Sequence, residues 1–486
     1  MFMLKIKPLC VTLFSFSVFA MSAVYAQPTT LKSMSDEQLS ETTGQALMSL
    51  SYIAPNDQTN LESKRVGGNS NIGFYRLGME AELELNANIK KLQLGCGGAN
   101  GANGCDIDID NLSLSGLADT NTGRASSSAK LTNPFIEFAI KNPQSASQRE
   151  VVGLRLSAER AVGLLTAGLE NSNQANGINS LSGYMKVQSG IGDTVAEQSK
   201  VKGYANTAAQ YMDLSQYQIK GNLVALGLAN ASFTTNGGGF SIPEMNKLPF
   251  ESQQLVVIGN RKNSAELSAE VSIPTINLGS GSGYPASGRV QSDPFGTTTA
   301  VYTAGSPVNA TVTGCQNLTF LPTCIIAWNG RQFSNISMSG TVSGAKAKVN
   351  FSENLGFIHN LKINSPVSLS LQQIAMLWPG SDSANVAERG WWLALQDPVS
   401  IGAVEPTNRL SIEPLLGQFA QKAGDYLQAN PATTSDLLGV LVGNGINANL
   451  GNVDLSKGTP LQMNLSNLKL NGQDFATNCY GSLKFC

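Results

Sequence analysis

Period two is the feature that most limits what this chain can become. In AELELNANIKKLQLG (residues 81–95) Leu83, Leu85, Ala87 and Ile89 recur at every second position. The apolar set then moves to Leu92 and Leu94 across Lys90-Lys91, which predicts a bulge there. The same alternation runs through DIDIDNLSLSG (106–116), PFIEFAI (134–140), VVGLRLSAERAVGLLTAGL (151–169), AELSAEVSIPTINLG (265–279), GAKAKVNF (344–351) and LQMNLSNLKLNG (461–472). Gly, Asn, Ser and Pro clusters separate the runs, and glycine alone supplies 49 of 486 residues. Short alternating segments punctuated by turn residues predict a mainly β fold: a large antiparallel, elongated sheet or a sandwich-like architecture.

Helical periodicity is confined to a few places. EPLLGQFAQKAGDYLQA (413–429) puts Leu415, Leu416, Phe419, Ala423, Tyr426 and Leu427 on one face, and Pro431 ends it. A shorter helix is expected at 436–443, capped by Ser435, and a third at 368–377. Near the start, SMSDEQLSETTGQAL (33–47) has Ser35 at the N-cap, Gln38 at N3, Met34 and Leu39 placed as a hydrophobic staple, and Gly44 as the stop. Two turns of helix do not persist alone in water, so this element is expected to dock.

The first 26 residues read as a secretory signal. Lys5 and Lys7 form a basic start, the stretch from Leu9 to Ala23 is almost wholly apolar or small, and Val24-Tyr25-Ala26 fits a signal peptidase site. The expected organisation is a signal peptide over 1–26, a capped helical segment over 27–45, one β-rich region over 46–245 and a second over 250–486. The composition break at PEMNKLPFESQQ marks the boundary between the two regions. No later stretch has the roughly 20 apolar residues of a membrane-spanning helix. Charged residues are 14% of the chain and the formal net charge is −2, which excludes the basic field that nucleic-acid binding needs.

Six cysteines lie beyond the signal, in three close pairs: Cys96 with Cys105, Cys315 with Cys324, and Cys479 with Cys486. In an oxidising compartment these are expected to bond locally, each staple contributing roughly 2–3 kcal/mol at best.

Chemistry-bearing clusters are few. His359 is the sole histidine, so a serine triad would have to use it and a histidine-rich metal site is excluded. Its apolar neighbours favour a structural role. Asp106, Asp108 and Asp110 would share a strand face, where they either form a solvated acidic surface balanced by Lys90 and Lys91 or hold calcium. No other cofactor is expected. Trp391 and Trp392 are adjacent, so in a strand they point to opposite faces. One is then core, and the other is free to stack on sugar or a partner, or both anchor the core. Paired carboxylates for glycoside cleavage need no histidine, but no acids in the sequence are visibly paired.

The segment carrying Leu31, Met34, Ser35, Asp36, Leu39, Ser40, Gly44, Gln45 and Ala46 resembles a family of exported bacterial envelope proteins with an L-S-D-x-x-L-S-x-x-x-G-Q pattern, among them Fil-type pilus-system proteins. NPFIEFAI, DIDIDNLSLSG and RGWWLALQDPVSIG are similar to phrases of the same group. The resemblance implies a location in the periplasm, at the outer-membrane surface or outside the cell of a Gram-negative bacterium. It also implies a β-rich structure and envelope or pilus-system proteins as partners, and it transfers no catalytic residues. The expected function is therefore a non-enzymatic structural or binding component linked to pilus assembly or adhesion, with Ser35, Gln38 and Leu39 in a docking helix. A sugar-binding or polysaccharide-active β protein and an outer-membrane β-barrel are the alternatives.

Overall fold

The computed structural model describes residues 5–7, 48–118, 120–169, 174–188, 200–225, 229–280, 288–289, 301–317, 324–327, 330–401, 404, 406–434 and 445–466. The fold is mainly β, with 62% of it in strands and 8% helical, arranged as two large mixed sheets. The docking helix expected at 27–45, the helix at 436–443 and the Cys479–Cys486 pair lie outside the described residues.

Ten strands of the first sheet carry the candidate site. They are β1 (Met48–Ile53), β2 (Ile72–Met79), β3 (Ala87–Leu94), β4 (Ile107–Ser115), β5 (Ala129–Lys141), β6 (Glu150–Thr166), β7 (Ile178–Gln188), β8 (Met245–Lys262), β9 (Val367–Gln372) and β10 (Gly390–Ser400). Across the sheet they run β1–β2–β5–β6–β9–β10–β7–β8, antiparallel except for the parallel β10–β7 pair. The β3–β4 hairpin is tied to this sheet twice, through Ile107–Ile109 to β7 and through Ser113–Ser115 to β6. The composition break at 245–250 falls inside β8, which pairs with strands on both sides of it in sequence, Ile178–Gln188 and Ser264–Ser272.

Residues 368–377 differ from the expected helix. Val367–Gln372 is a strand between β6 and β10, because Val367, Leu369 and Leu371 alternate and find cross-strand partners on both sides. The switch of apolar face near Lys90-Lys91 also differs from a bulge. The register runs unbroken from Ile89 opposite Leu112 to Lys91 opposite Asp110, and the switch falls where Asn111 adopts φ 46°. Asn133 does the same in β5 at φ 47°. Asparagine tolerates this left-handed conformation better than most residues.

The long helix α1 (Glu413–Ala429) occupies the expected span. It buries Leu415, Leu416, Phe419, Ala423 and Leu427, and Phe419 meets Phe240 edge-on at 6.4 Å. The main core runs continuously beneath it through both sheets. A second, smaller core forms where the 373–389 loop folds back on the first sheet and lays Trp378 against Phe74, with Trp392 beside it.

Candidate functional site

The three aspartates divide into two environments. Asp106 precedes β4 and is buried. Its Oδ1 accepts hydrogen bonds from Asn100 Nδ2 (2.9 Å) and Arg261 Nε (3.1 Å), and its Oδ2 accepts from the Trp391 backbone N–H (3.0 Å). It thus ties the Cys96–Cys105 loop to β8 and to the start of β10. The loop itself is closed by the Cys96–Cys105 disulfide. A Cβ on Gly95 or Gly390 would fall 2.3 or 2.4 Å from the Asp106 carboxylate, which is why those positions have no side chain.

Asp108 and Asp110 bracket Lys91, whose Nζ lies 2.6 and 2.9 Å from them. Asn179 Nδ2 donates to both carboxylates, and Gln93 Nε2 donates to Asp108. Burial pushes the Asp108 carboxyl up, but hydrogen bonds from Lys91, Gln93 and Asn179 outweigh it and hold it below the ordinary value. Bonding to Asp108 raises the Lys91 ammonium in turn. The lysine therefore stands where a cation would sit between the two carboxylates. Among the described residues no group of three or more His, Cys, Asp or Glu is arranged to hold a metal ion.

Trp391 and Trp392 point to opposite faces of β10, as adjacent strand residues must. Trp392 is 1% exposed and donates its Nε1–H to Asn385 Oδ1 at 2.9 Å. Trp391 is half-buried and belongs to the opposite face of the sheet. His359 is buried with Nδ1 2.9 Å from Ala167 O, and burial lowers its pKa. Cys315 and Cys324 stand in short strands that pair antiparallel, Cys315–Asn317 with Cys324–Ala327.

What sequence reasoning missed is the polarity of the first sheet. Two cross-strand rows span six strands. One is Leu50–Leu77–Ile136–Leu156–Leu369–Leu393, and the next is Tyr52–Tyr75–Phe138–Leu154–Leu371–Trp391. Every member is apolar or aromatic, and much of the set is open to solvent: Leu50 is 75% exposed, Leu156 45% and Ile136 38%. The opposite face, under the Trp378 loop, buries Glu137, Arg155, Ser370 and Gln372 alongside Phe74 and Phe135. The inward face thus buries charged and polar groups among its apolar residues while the outward face is apolar, a departure from the usual apolar-in, polar-out alternation. At a spacing of about 4.8 Å per strand the rows extend roughly 24 Å, which is more than scattered surface leucines produce. The signal was present in the sequence. PFIEFAI carries its one charge, Glu137, on the face that also holds Phe135 and Ala139, and Arg155 in VVGLRLSAER falls directly opposite it.

The apolar face continues into a pocket ringed by paired strands. The pairings β4–β7, β7–β10, β10–β9, β9–β6 and β6–β4 close a circuit on themselves. Within it lies a cavity of about 210 Å³ lined by apolar residues including Ile109, Leu112, Leu165 and Ile363. Leu369 and Leu393, the inner members of the first row, form part of its wall. No family model, no curated protein and no solved structure matches this chain.

Proposed function

We propose that the chain is an exported, non-catalytic component of a Gram-negative cell envelope that binds partner proteins of pilus assembly or adhesion by accepting a strand at the β1 edge. The observation that carries this reading is β1 itself. Met48–Ile53 (MSLSYI) contains no charge, proline or glycine, and among the described residues it pairs on one side only, with β2. Edge strands ordinarily carry lysine, proline or a bulge that discourages further pairing. An unprotected edge of this composition favours β-augmentation, in which main-chain hydrogen bonds supply affinity and alternate side chains supply selectivity. A strand added at β1 would also lengthen both apolar rows. The lone histidine is buried and Lys91 bridges Asp108 and Asp110, which favours structural roles for these groups.

The barrel alternative draws on the inverted polarity of the same sheet. Against it, strands Ser264–Ser272 and Lys346–Asn354 turn Glu266, Glu270, Lys348 and Ser352 to solvent, so the apolar face is a patch and not a belt. The test is a photo-cross-linking residue placed at Ser51 in cells, compared with one at exposed Ser352. Specific adducts at Ser51 that disappear when Ser49 is changed to proline, with the cross-linking residue kept at Ser51, support strand addition. Adducts that survive that change overturn it. A parallel deletion of residues 27–45 reports whether the segment with Ser35, Gln38 and Leu39 contributes to capture, and an unchanged set of partners removes it from the proposal.

A further inference from the structure

We propose that the cavity between the β3–β4 hairpin and the β6–β9–β10 sheet is a binding site for a linear acyl chain, which enters along the exposed apolar rows. This stands independently of strand addition at β1. Three observations support it. The cavity has no polar lining, so water has no hydrogen-bond partner inside it. An apolar void of about 150 Å³ lined by Leu, Ile and Phe stays dry and takes up benzene, so by that scale 210 Å³ holds roughly eight carbon atoms.

The third observation is continuity. Leu369 and Leu393 belong both to the cavity wall and to the exposed row that continues through Leu156 and Ile136 to Leu50. A chain longer than the cavity would lie along that row without leaving apolar contact. The occupant is therefore elongated and unbranched, as an acyl chain is, and not a compact ring system. The circuit of paired strands walls the cavity at its sides, and the apolar row leads away from it.

The test uses the whole chain without its signal segment, titrated with dodecanoate against a dansyl-labelled fatty acid, and separately with phosphatidylethanolamine–phosphatidylglycerol vesicles. Saturable binding of dodecanoate in competition with the probe is expected. Vesicle binding without fatty-acid competition would place the contact at a bilayer surface and overturn the cavity proposal. Leu369→Phe and Ala161→Leu each fill the cavity by a different route, and either is expected to weaken dodecanoate binding about tenfold or more, in line with the sensitivity of apolar pockets to added groups. Thermal melts identify which of the two keeps the native fold. Unchanged affinity in a folded cavity-filled variant overturns the proposal. Sedimentation of the same samples covers the remaining occupant: a dimer that excludes fatty acid would mean that a second copy covers the rows.

Discussion

Glu137 and Arg155 stand directly opposite each other on β5 and β6, with Oε2 and Nη2 2.5 Å apart and side chains 2% and 5% exposed. The guanidinium also donates to Pro379 O at 2.8 Å and lies 5.2 Å from the Trp378 ring centroid. Burial pushes the Glu137 carboxyl up and the Arg155 guanidinium down, the mark of charges held where water is scarce. Such a pair contributes little net stability, but breaking it leaves one charge uncompensated. Arg155→Met is expected to lose roughly 3–5 kcal/mol in urea unfolding. Adding Glu137→Gln to that variant is expected to restore a large part of the loss, and a double variant no more stable than the single one would refute the account.

Gly183 tests the parallel β7–β10 junction. A Cβ there would sit 2.1 Å from the Leu393 carbonyl oxygen, a backbone atom that cannot move without shifting the strand. At Gly153 a Cβ would meet the Trp378 ring at 3.0 Å, where the side chain can yield. Gly183→Ala is therefore expected to lose about 1–3 kcal/mol or more, and Gly153→Ala clearly less. Thermal melts of the two variants give the order, and the reverse order would mean that the junction adapts.

A single histidine makes pH dependence easy to assign. Burial depresses the His359 pKa in the folded chain, while the unfolded chain takes up a proton near the ordinary value of about 6.5. Between those two values the unfolded state binds more protons, so stability falls as pH drops below about 6.5. The melting temperature is expected to decline between pH 7.5 and 5.5 in the wild type, and to decline less in His359→Gln. Parallel curves for the two proteins would rule out the histidine as the source.

Periodicity made the strand-rich fold and the span of α1 legible, because Leu415, Leu416, Phe419 and Leu427 leave a helix no other face to bury. It did not reveal which face of a strand is inward. Ile136, Phe138, Glu137 and Ala139 alternate equally well under either assignment, and the choice is made by the Trp378 loop, far away in sequence, which supplies partners for Arg155, the residue that in turn pairs with Glu137. The cavity was illegible for the same reason, since its wall joins β4, β6, β9 and β10 through pairings separated by up to hundreds of residues. Val367–Gln372 read as a helix because Leu369 and Leu371 lie within a short apolar run, a length at which the two periods are hard to separate.

Lys91 gives the last prediction. Its ammonium already satisfies Asp108 and Asp110, so added calcium has no open carboxylate pair to enter. The wild-type melting temperature is expected to be the same in calcium and in EGTA. Lys91→Ala leaves two neighbouring carboxylates facing each other across a partly exposed surface, and the loss is expected to stay within about 1 kcal/mol and to shrink as salt rises. Because the Asp108 pKa is held low in the folded chain, the contribution of these bonds is present above the ordinary aspartate value and disappears as pH falls through the depressed one. In the alanine variant calcium should raise the melting temperature where it did nothing before. A wild-type protein that melts higher in calcium would mean that the ion displaces Lys91 and that the acidic strand is a metal site.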